Sequence, residues 1–541
     1  MINPNDLKVL INEALGTTHR PIPWTIILAS AAAGWYLLSW LLQPKSRYPI
    51  INAPKTSWTS IPAKIEYLKN TKHLIIEGYR RSSGPFKLQT EHGISVVLPP
   101  SALKMVDRSE IGLSGPEFLR RRFLSTYTTF QAMGNPPHDL LPEAVLRGLT
   151  RSLPKFTKPL SLTMNDCLAS SWGSASDWQE RALMDDTLLW VARLSTRVFL
   201  GERFVQNAEW IRIAQEYTID FMTATAICGF VPALIRPLFV LGLPWCRKLR
   251  RDHAICERMF GPVFAEREAE IEAAQREGRV PDLPDDAIEW CRNAGKGRKY
   301  PQLNSQLTLS IAAIHTTSDL LGQTVLNLCV HPELLEPLRQ EAISVLKSYG
   351  WQKQALTELR LMDSCLKETQ RMKPVQLASS NRLATRNVTL PDGTFIARGE
   401  VVTFSAHDHF NPDIYPEPEK FDGYRFLKRR AIPGLEHKSV LVSTSEEHSA
   451  FSHGKHACPG RFFAANEVKI ALVHLLLKYD MKIEKPEMAE WFTFGANTIA
   501  NSKAKILVRR REAELDLEAL AMAAEDCGVE ERGAKERGVV A

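Results

Sequence analysis

The residue best placed to do chemistry is Cys458. It ends the stretch Phe451-Ser452-His453-Gly454-Lys455-His456-Ala457-Cys458, and Pro459-Gly460 and an apolar helical run, Arg461–Leu477, follow it. Gly454 and Gly460 permit backbone angles that other residues resist, so a tight loop can deliver Cys458 to a helix N-terminus. Free backbone N–H groups and the helix dipole there favour a thiolate. A thiolate is what a haem iron needs if an oxygen–oxygen bond is to be cleaved. Taken alone, a cysteine before a helix is more often a plain buried residue.

Two further groups have spacing that suits chemistry. Glu368 and Arg371 stand three residues apart, which puts both charges on one helix face. A surface ion pair would have the same spacing and be worth little. In Ala312-Ala313-Ile314-His315-Thr316-Thr317, small side chains allow a helix to pass close to a flat ligand, and a threonine hydroxyl can bond a local carbonyl or that ligand. His315 can change charge near neutral pH and so could carry protons. It could equally pack or bond to the backbone.

The spacing Phe-x-x-Gly-x-x-x-Cys-x-Gly at Phe451–Gly460 resembles the haem-binding loop of the cytochrome P-450 family. Other motifs agree in chain order. Glu368-Thr369-Gln370-Arg371 resembles the family's Glu-x-x-Arg, and Phe421-Asp422-Gly423-Tyr424-Arg425-Phe426 resembles the later motif whose arginine joins it, so Arg425 is the implied third member of a buried charge network. Asn411–Pro418, with three prolines, is similar to the irregular meander between them. Ala312–Thr317 aligns with the oxygen-activation segment, where the resemblance gives Thr316 the oxygen-side position. The chain departs from the pattern in three places: Ala313 replaces glycine, His315 replaces the acid, and His456 stands where the family has arginine. The resemblance implies that Cys458 is the axial ligand to the iron of haem b, held in a loop that includes Phe451 and Gly454. Arg382, His456 and Arg147 are the implied partners of the haem propionates, and Thr316 and His315 the implied catalytic pair.

Elements must hold these residues in place. Pro301–Val330 is a long helix, apolar on nearly every face, of the kind that crosses the middle of a large core. Ile94–Leu98, Val388–Leu390 and Val401–Ser405 read as strands, with Pro391-Asp392-Gly393 as a turn. The expected fold is mainly α with small β-sheets: the cytochrome P-450 fold as a single large haem domain with an N-terminal transmembrane helix. Its parts are a short segment 1–22, an anchor 23–42, a proline-containing linker 43–60, the catalytic domain 61–509 and a charged tail 510–541. The anchor Pro23–Leu42 carries no charge, is long enough to span a bilayer, and has tryptophans suited to its interfaces. Lys45, Arg47, Lys55 and Lys64 follow it without an acid until Glu66, which puts the body on the cytoplasmic side.

Bulk properties exclude little else. The chain of 541 residues is 44% hydrophobic and 24% charged, an ordinary balance for a large core. A net charge of +7, with bases scattered among acids, gives no nucleic-acid footprint. The nine cysteines are far apart and form no Cys-x-x-Cys pair, as expected in a reducing compartment.

The resemblance implies a haem-thiolate monooxygenase of the endoplasmic reticulum membrane. It would use O2 and electrons from NADPH through a separate cytochrome P-450 reductase, with cytochrome b5 as a further candidate donor. Lys455, His456 and Arg461 are the expected positive charges of the reductase face. Substrate-facing segments by resemblance are Ser114–Met133, the end of the long helix, Val375–Ser380 and Phe492–Asn497. The combined motifs look most like fungal members acting on gibberellin precursors, indole diterpenes and related terpenoids. Phe221–Leu243 is a second apolar stretch, either interfacial or core. Two rivals stay open: a haem-thiolate isomerase or dehydratase that needs no O2, against which Thr316 argues, and a non-enzymatic membrane-anchored carrier of haem or lipid, which would not need a thiolate.

Overall fold

A computed structural model describes residues 34, 47–53, 60–108, 112–133 and 137–523. The expected anchor 23–42, apart from Gly34, and the tail beyond residue 523 lie outside the described residues. Among the described residues no helix is long and apolar enough to cross a membrane.

The main sheet has strands β1 Phe86–Thr90, β2 Gly93–Leu98, β3 Leu113–Ser114, β4 Ala378–Ala384 and β5 Val401–Ser405, in the order β1-β2-β5-β4-β3. β2 and β5 run parallel and β4 pairs antiparallel with β5. Val96, Leu98, Val402 and Phe404 face a small apolar core under helix 102–108. The Leu390–Thr394 turn forms as its residues require, with Gly393 at φ +85°.

Helices make the rest: α1 Ile61–Arg81, α2 Gly115–Arg122, α3 Thr150–Ser171, α4 Leu183–Phe199, α5 Ala208–Phe230, α6 Arg236–Gly242, α7 Pro244–Glu277, α8 Gln302–Val330, α9 Arg360–Met372 and α10 Arg461–Lys478. Pro301 stands at the N-cap of α8, a helix start at which proline is tolerated because it has no N–H to leave unbonded. It packs against α4, α5, α9 and α10, so its apolar residues are buried on several sides. Ala312 and Thr316 are exposed in its middle. They stand one turn apart on one face, which therefore borders a space rather than a neighbour. α10 is buried almost throughout after its first turn.

The packed body continues past residue 509. Leu517 is buried and its carbonyl accepts from Trp351 Nε1 at 3.1 Å. The segment Phe221–Leu243 is divided: Phe221 and Val240 are core, whereas Leu234, Leu238 and Leu241 are 92%, 69% and 66% exposed. Arg236, the charge within it, folds back to give two hydrogen bonds to the Val231 carbonyl.

Candidate active site

Cys458 sits at the turn from the loop into α10. The loop is closed by its own backbone: Cys458 N–H donates to the Phe451 carbonyl at 2.8 Å, and Gly454–His456 makes one tight turn with Gly454 at φ +71°. The backbone amides of Gly460 and Arg461 donate to the Cys458 sulfur, as a helix N-terminus provides. Burial nonetheless outweighs them and pushes the thiol above its ordinary value. Of the eight described cysteines, the other seven are buried and Cys458 is only partly covered.

A cavity of about 350 Å³ lies between this loop and α8, bordered by Cys458 and Phe451 on one side and Ala312 and Thr316 on the other, with Arg382 and His456 also in its lining. A second chamber of about 490 Å³ adjoins it and shares Gln376, Ser380, Arg382 and His456. These residues fit haem: one thiol with two amides behind it, small side chains opposite, and the Arg382 guanidinium and His456 imidazole at the junction of the chambers. The Thr316 hydroxyl donates to the Ala312 carbonyl at 2.9 Å, one turn back.

Arg382 is aimed by an irregularity. β4 slips register between Ser379 and Arg382, and Ser380 takes φ +56°. Such a bulge re-aims the side chains after it. The Ser380 hydroxyl meets that of Ser452, itself at φ +58°, at 2.6 Å and so ties strand to cysteine loop. Arg382 donates to the carbonyls of Ser380 and Asn381 at 2.9 and 3.0 Å, which fixes its buried guanidinium.

The charge network is fully formed. Glu368 and Arg371 have no exposed side-chain surface, and Glu368 accepts two bonds from Arg371 at 2.8 Å and one from Arg425 Nε at 2.9 Å. Arg371 also donates to the His409 carbonyl, and Arg425 to the carbonyls of Pro416, Glu417 and Lys420. The His409 ring accepts from Ser449 N–H at 3.1 Å, so the network reaches the start of the cysteine loop. A surface ion pair is excluded for these three residues.

Three expectations are corrected. His315 is not in the cavity lining: its Nε2 bonds the Gln215 carbonyl of α5 at 2.8 Å, and burial pushes its pKa down. It joins two helices. Arg147 is 73% exposed, paired with Glu143, and lines neither chamber. His138, overlooked because its surroundings carry no motif, lines the second chamber instead. Arg461 is not part of the exposed face expected for a reductase, because its guanidinium turns inward to the carbonyls of Val442 and Cys458. Lys455 and His456 remain exposed. Sequence reasoning also missed the part-buried Asp319–Lys373 pair in the cavity lining. Asp319 follows Thr316 at i+3, and that helical spacing could have found it.

Fold and site together define a helical haem-binding enzyme with a thiol beneath its ligand cavity. The family model for cytochrome P450 matches residues 164–507. Similar proteins include the cytochrome P450 monooxygenase adrA of Penicillium rubens, 39% identical over 87% of this chain and 93% of that one. The cytochrome P450 monooxygenase esdpI of Penicillium shearii is 37% identical over 93% and 99%. A retinoic acid-bound cyanobacterial CYP120A1 has the same fold, with a TM-score of 0.61 at 19% identity over 83% of this chain and 96% of that one. The chain belongs to the cytochrome P450 family and is a monooxygenase. Membership implies a haem iron with a thiolate ligand, electrons from a reductase, and a small-molecule substrate.

Proposed function

We propose that this monooxygenase hydroxylates a lipophilic secondary metabolite, a terpenoid, at the endoplasmic reticulum membrane, taking electrons from NADPH–cytochrome P450 reductase. The observation that carries the reading is the opposition of Cys458 to the exposed Ala312–Thr316 face of α8 across one cavity. Haem bound there would supply the activation of dioxygen, one oxygen atom entering a C–H bond and the other leaving as water with two electrons from the reductase and two protons. Cys458 would hold its iron through the sulfur, and the Gly460 and Arg461 amides directed at that sulfur would tune its basicity. Arg382, His456 and His138, which line the second chamber, would hold its propionates. Thr316 holds a proton at its hydroxyl, ready to switch from the Ala312 carbonyl to a ligand in the cavity. Apolar walls orient the substrate and exclude water.

The membrane reading has two supports. One is the uncharged stretch 23–42; the other is the exposed apolar surface of Phe230, Leu234, Leu238 and Leu241 around α6. The terpenoid reading rests on the sequence motifs. Co-expression with the reductase, feeding of candidate terpenes and mass spectrometry test it. An oxygen- and NADPH-dependent gain of one oxygen is expected, and turnover without O2 would favour the isomerase instead.

A further inference from the structure

The second chamber has mostly apolar walls, from Phe118, Leu119, Phe123, Met133 and Leu141. Arg122, the last residue of α2, also lines it. Unlike Arg382 and His456, Arg122 is not shared with the Cys458 cavity. It borders instead a small neighbouring cavity of about 50 Å³ together with Glu91 and His92.

A guanidinium in such surroundings is normally locked by a two-pronged carboxylate. Here, among the described residues, the hydrogen bond Arg122 makes is from Nη1 to Glu91 Oε1 at 3.5 Å, the outer limit of such a bond, and its guanidinium lies 5.8 Å from the Phe123 ring centre. The same Oε1 lies 3.1 Å from His92 Nε2, and Glu91 Oε2 is buried without a hydrogen-bond partner. Burial holds Arg122 below the usual arginine range, with Glu91 partly opposing it. Burial, with Arg122 adding to it, pushes His92 down to about 3, so its ring is neutral. The cluster therefore sums to one cation and one anion. Exposed Arg121 and half-buried Lys64, which lies over the Phe230 ring, add a field weakened by solvent.

This balance discriminates between ligands. A free carboxylate would gain Arg122 but face Glu91. A bare hydrocarbon would seal an underbonded guanidinium away from water. An uncharged oxygen, whether carbonyl, lactone or hydroxyl, accepts from Arg122 without repulsion. We infer that Arg122 is a specificity residue that donates a hydrogen bond to an uncharged oxygen already present on a lipophilic substrate. The inference rests on the monooxygenase reading and deepens it. The reaction that supplies the substrate must then be one that leaves an oxygen function on it, such as an earlier oxygenation.

The test uses the full-length, haem-loaded protein and a ladder of 1-alkylimidazoles of increasing chain length, ending in methyl, hydroxyl, methyl ketone or carboxylate. Imidazole takes the iron whatever the natural substrate, so the chain end alone probes the chamber. A failure of terpene oxidation would sink the substrate class and leave this test standing. At the optimal length, the hydroxyl and ketone are expected to bind about tenfold tighter than the methyl and carboxylate ends, the worth of one bond to a charged donor. Arg122→Met should erase that preference while the reduced carbon-monoxide spectrum is kept. Glu91→Gln, which leaves the cation unbalanced, should shift the preference to carboxylate. Equal binding of all ends in the parent protein, tightest binding of the carboxylate there, or a preference that survives Arg122→Met would overturn the inference.

Discussion

Removal of the Glu368 carboxylate should be among the most damaging changes in this protein that touches no ligand. Glu368 has no exposed surface and accepts from Arg371 Nε and Nη2, Arg425 Nε and the Asp422 amide. In Glu368→Ala two buried guanidinium groups lose their counter-charge together. Breaking one buried pair costs about 3–5 kcal/mol because the remaining charge stays desolvated. At about 1.4 kcal/mol per factor of ten, the folded fraction falls relative to unfolded by roughly two to four orders of magnitude. The Glu270–Arg279 pair makes an internal control: its side chains are 27% and 40% exposed, so solvent screens it and Glu270→Ala should cost far less. Urea titration of both variants, followed by absorbance of the bound haem, measures the difference. Because His409 links the network to Ser449, haem should be lost early in Glu368→Ala. If the two variants unfold at the same midpoint and hold equal haem, the network carries no such stability and the reasoning fails.

Other outcomes follow from single groups. Cys458→His should lose the thiolate-type reduced carbon-monoxide spectrum; its survival would mean another ligand. Thr316→Ala should divert electrons to peroxide, whereas His315→Asn should keep rate, coupling and pH profile, because His315 lies outside the cavity and bonds Gln215; a pH-dependent loss of product would restore a proton-carrying role. Glu467 is fully buried and pushed up from 4.5 to about 8, so the folded protein holds a proton that the unfolded chain releases between those values, and stability falls as pH rises through them. Glu467→Gln should remove that fall, a gain on the order of a few kcal/mol above pH 8, and an unchanged pH–stability curve would refute it. With residues 1–42 deleted, the protein should still float with liposomes, and serines at Leu234, Leu238 and Leu241 should abolish this; flotation that persists would place the contact elsewhere.

Much of the fold was legible because its parts have local causes. The apolar length of α8, the β5 strand Val401–Ser405 and the Pro-Asp-Gly turn all form where their residues require. The cysteine loop and the three-residue charge network were legible through motif spacing. What stayed hidden depends on partners distant in sequence. Ser380 and Ser452 meet across 72 residues, and the β4 bulge that aims Arg382 leaves no mark in a stretch reading Ala-Ser-Ser-Asn-Arg. Arg122 looked like one base in a run of three, and only the approach of Glu91 from another element gives it a distinct role. The inward turn of Arg461 depends in the same way on the Val442 carbonyl.

His315 is different, because its misplacement could have been avoided from the sequence. An α-helix advances about 100° per residue. If Thr316 faces the cavity, Ala312, one turn earlier, shares that face, and His315 is turned well to the side. The motif places the histidine next to the threonine in sequence, but helix geometry sends their side chains in different directions. The structure adds what lies on that side, the Gln215 carbonyl of α5. An acid at position 315 could not donate to that carbonyl unless protonated, whereas a neutral imidazole can. Replacement of the acid by histidine therefore exchanges a group that would have sought a distant donor for one that fastens α8 to α5. His315 thus stands outside the cavity lining, in which Thr316 and the Asp319–Lys373 pair lie.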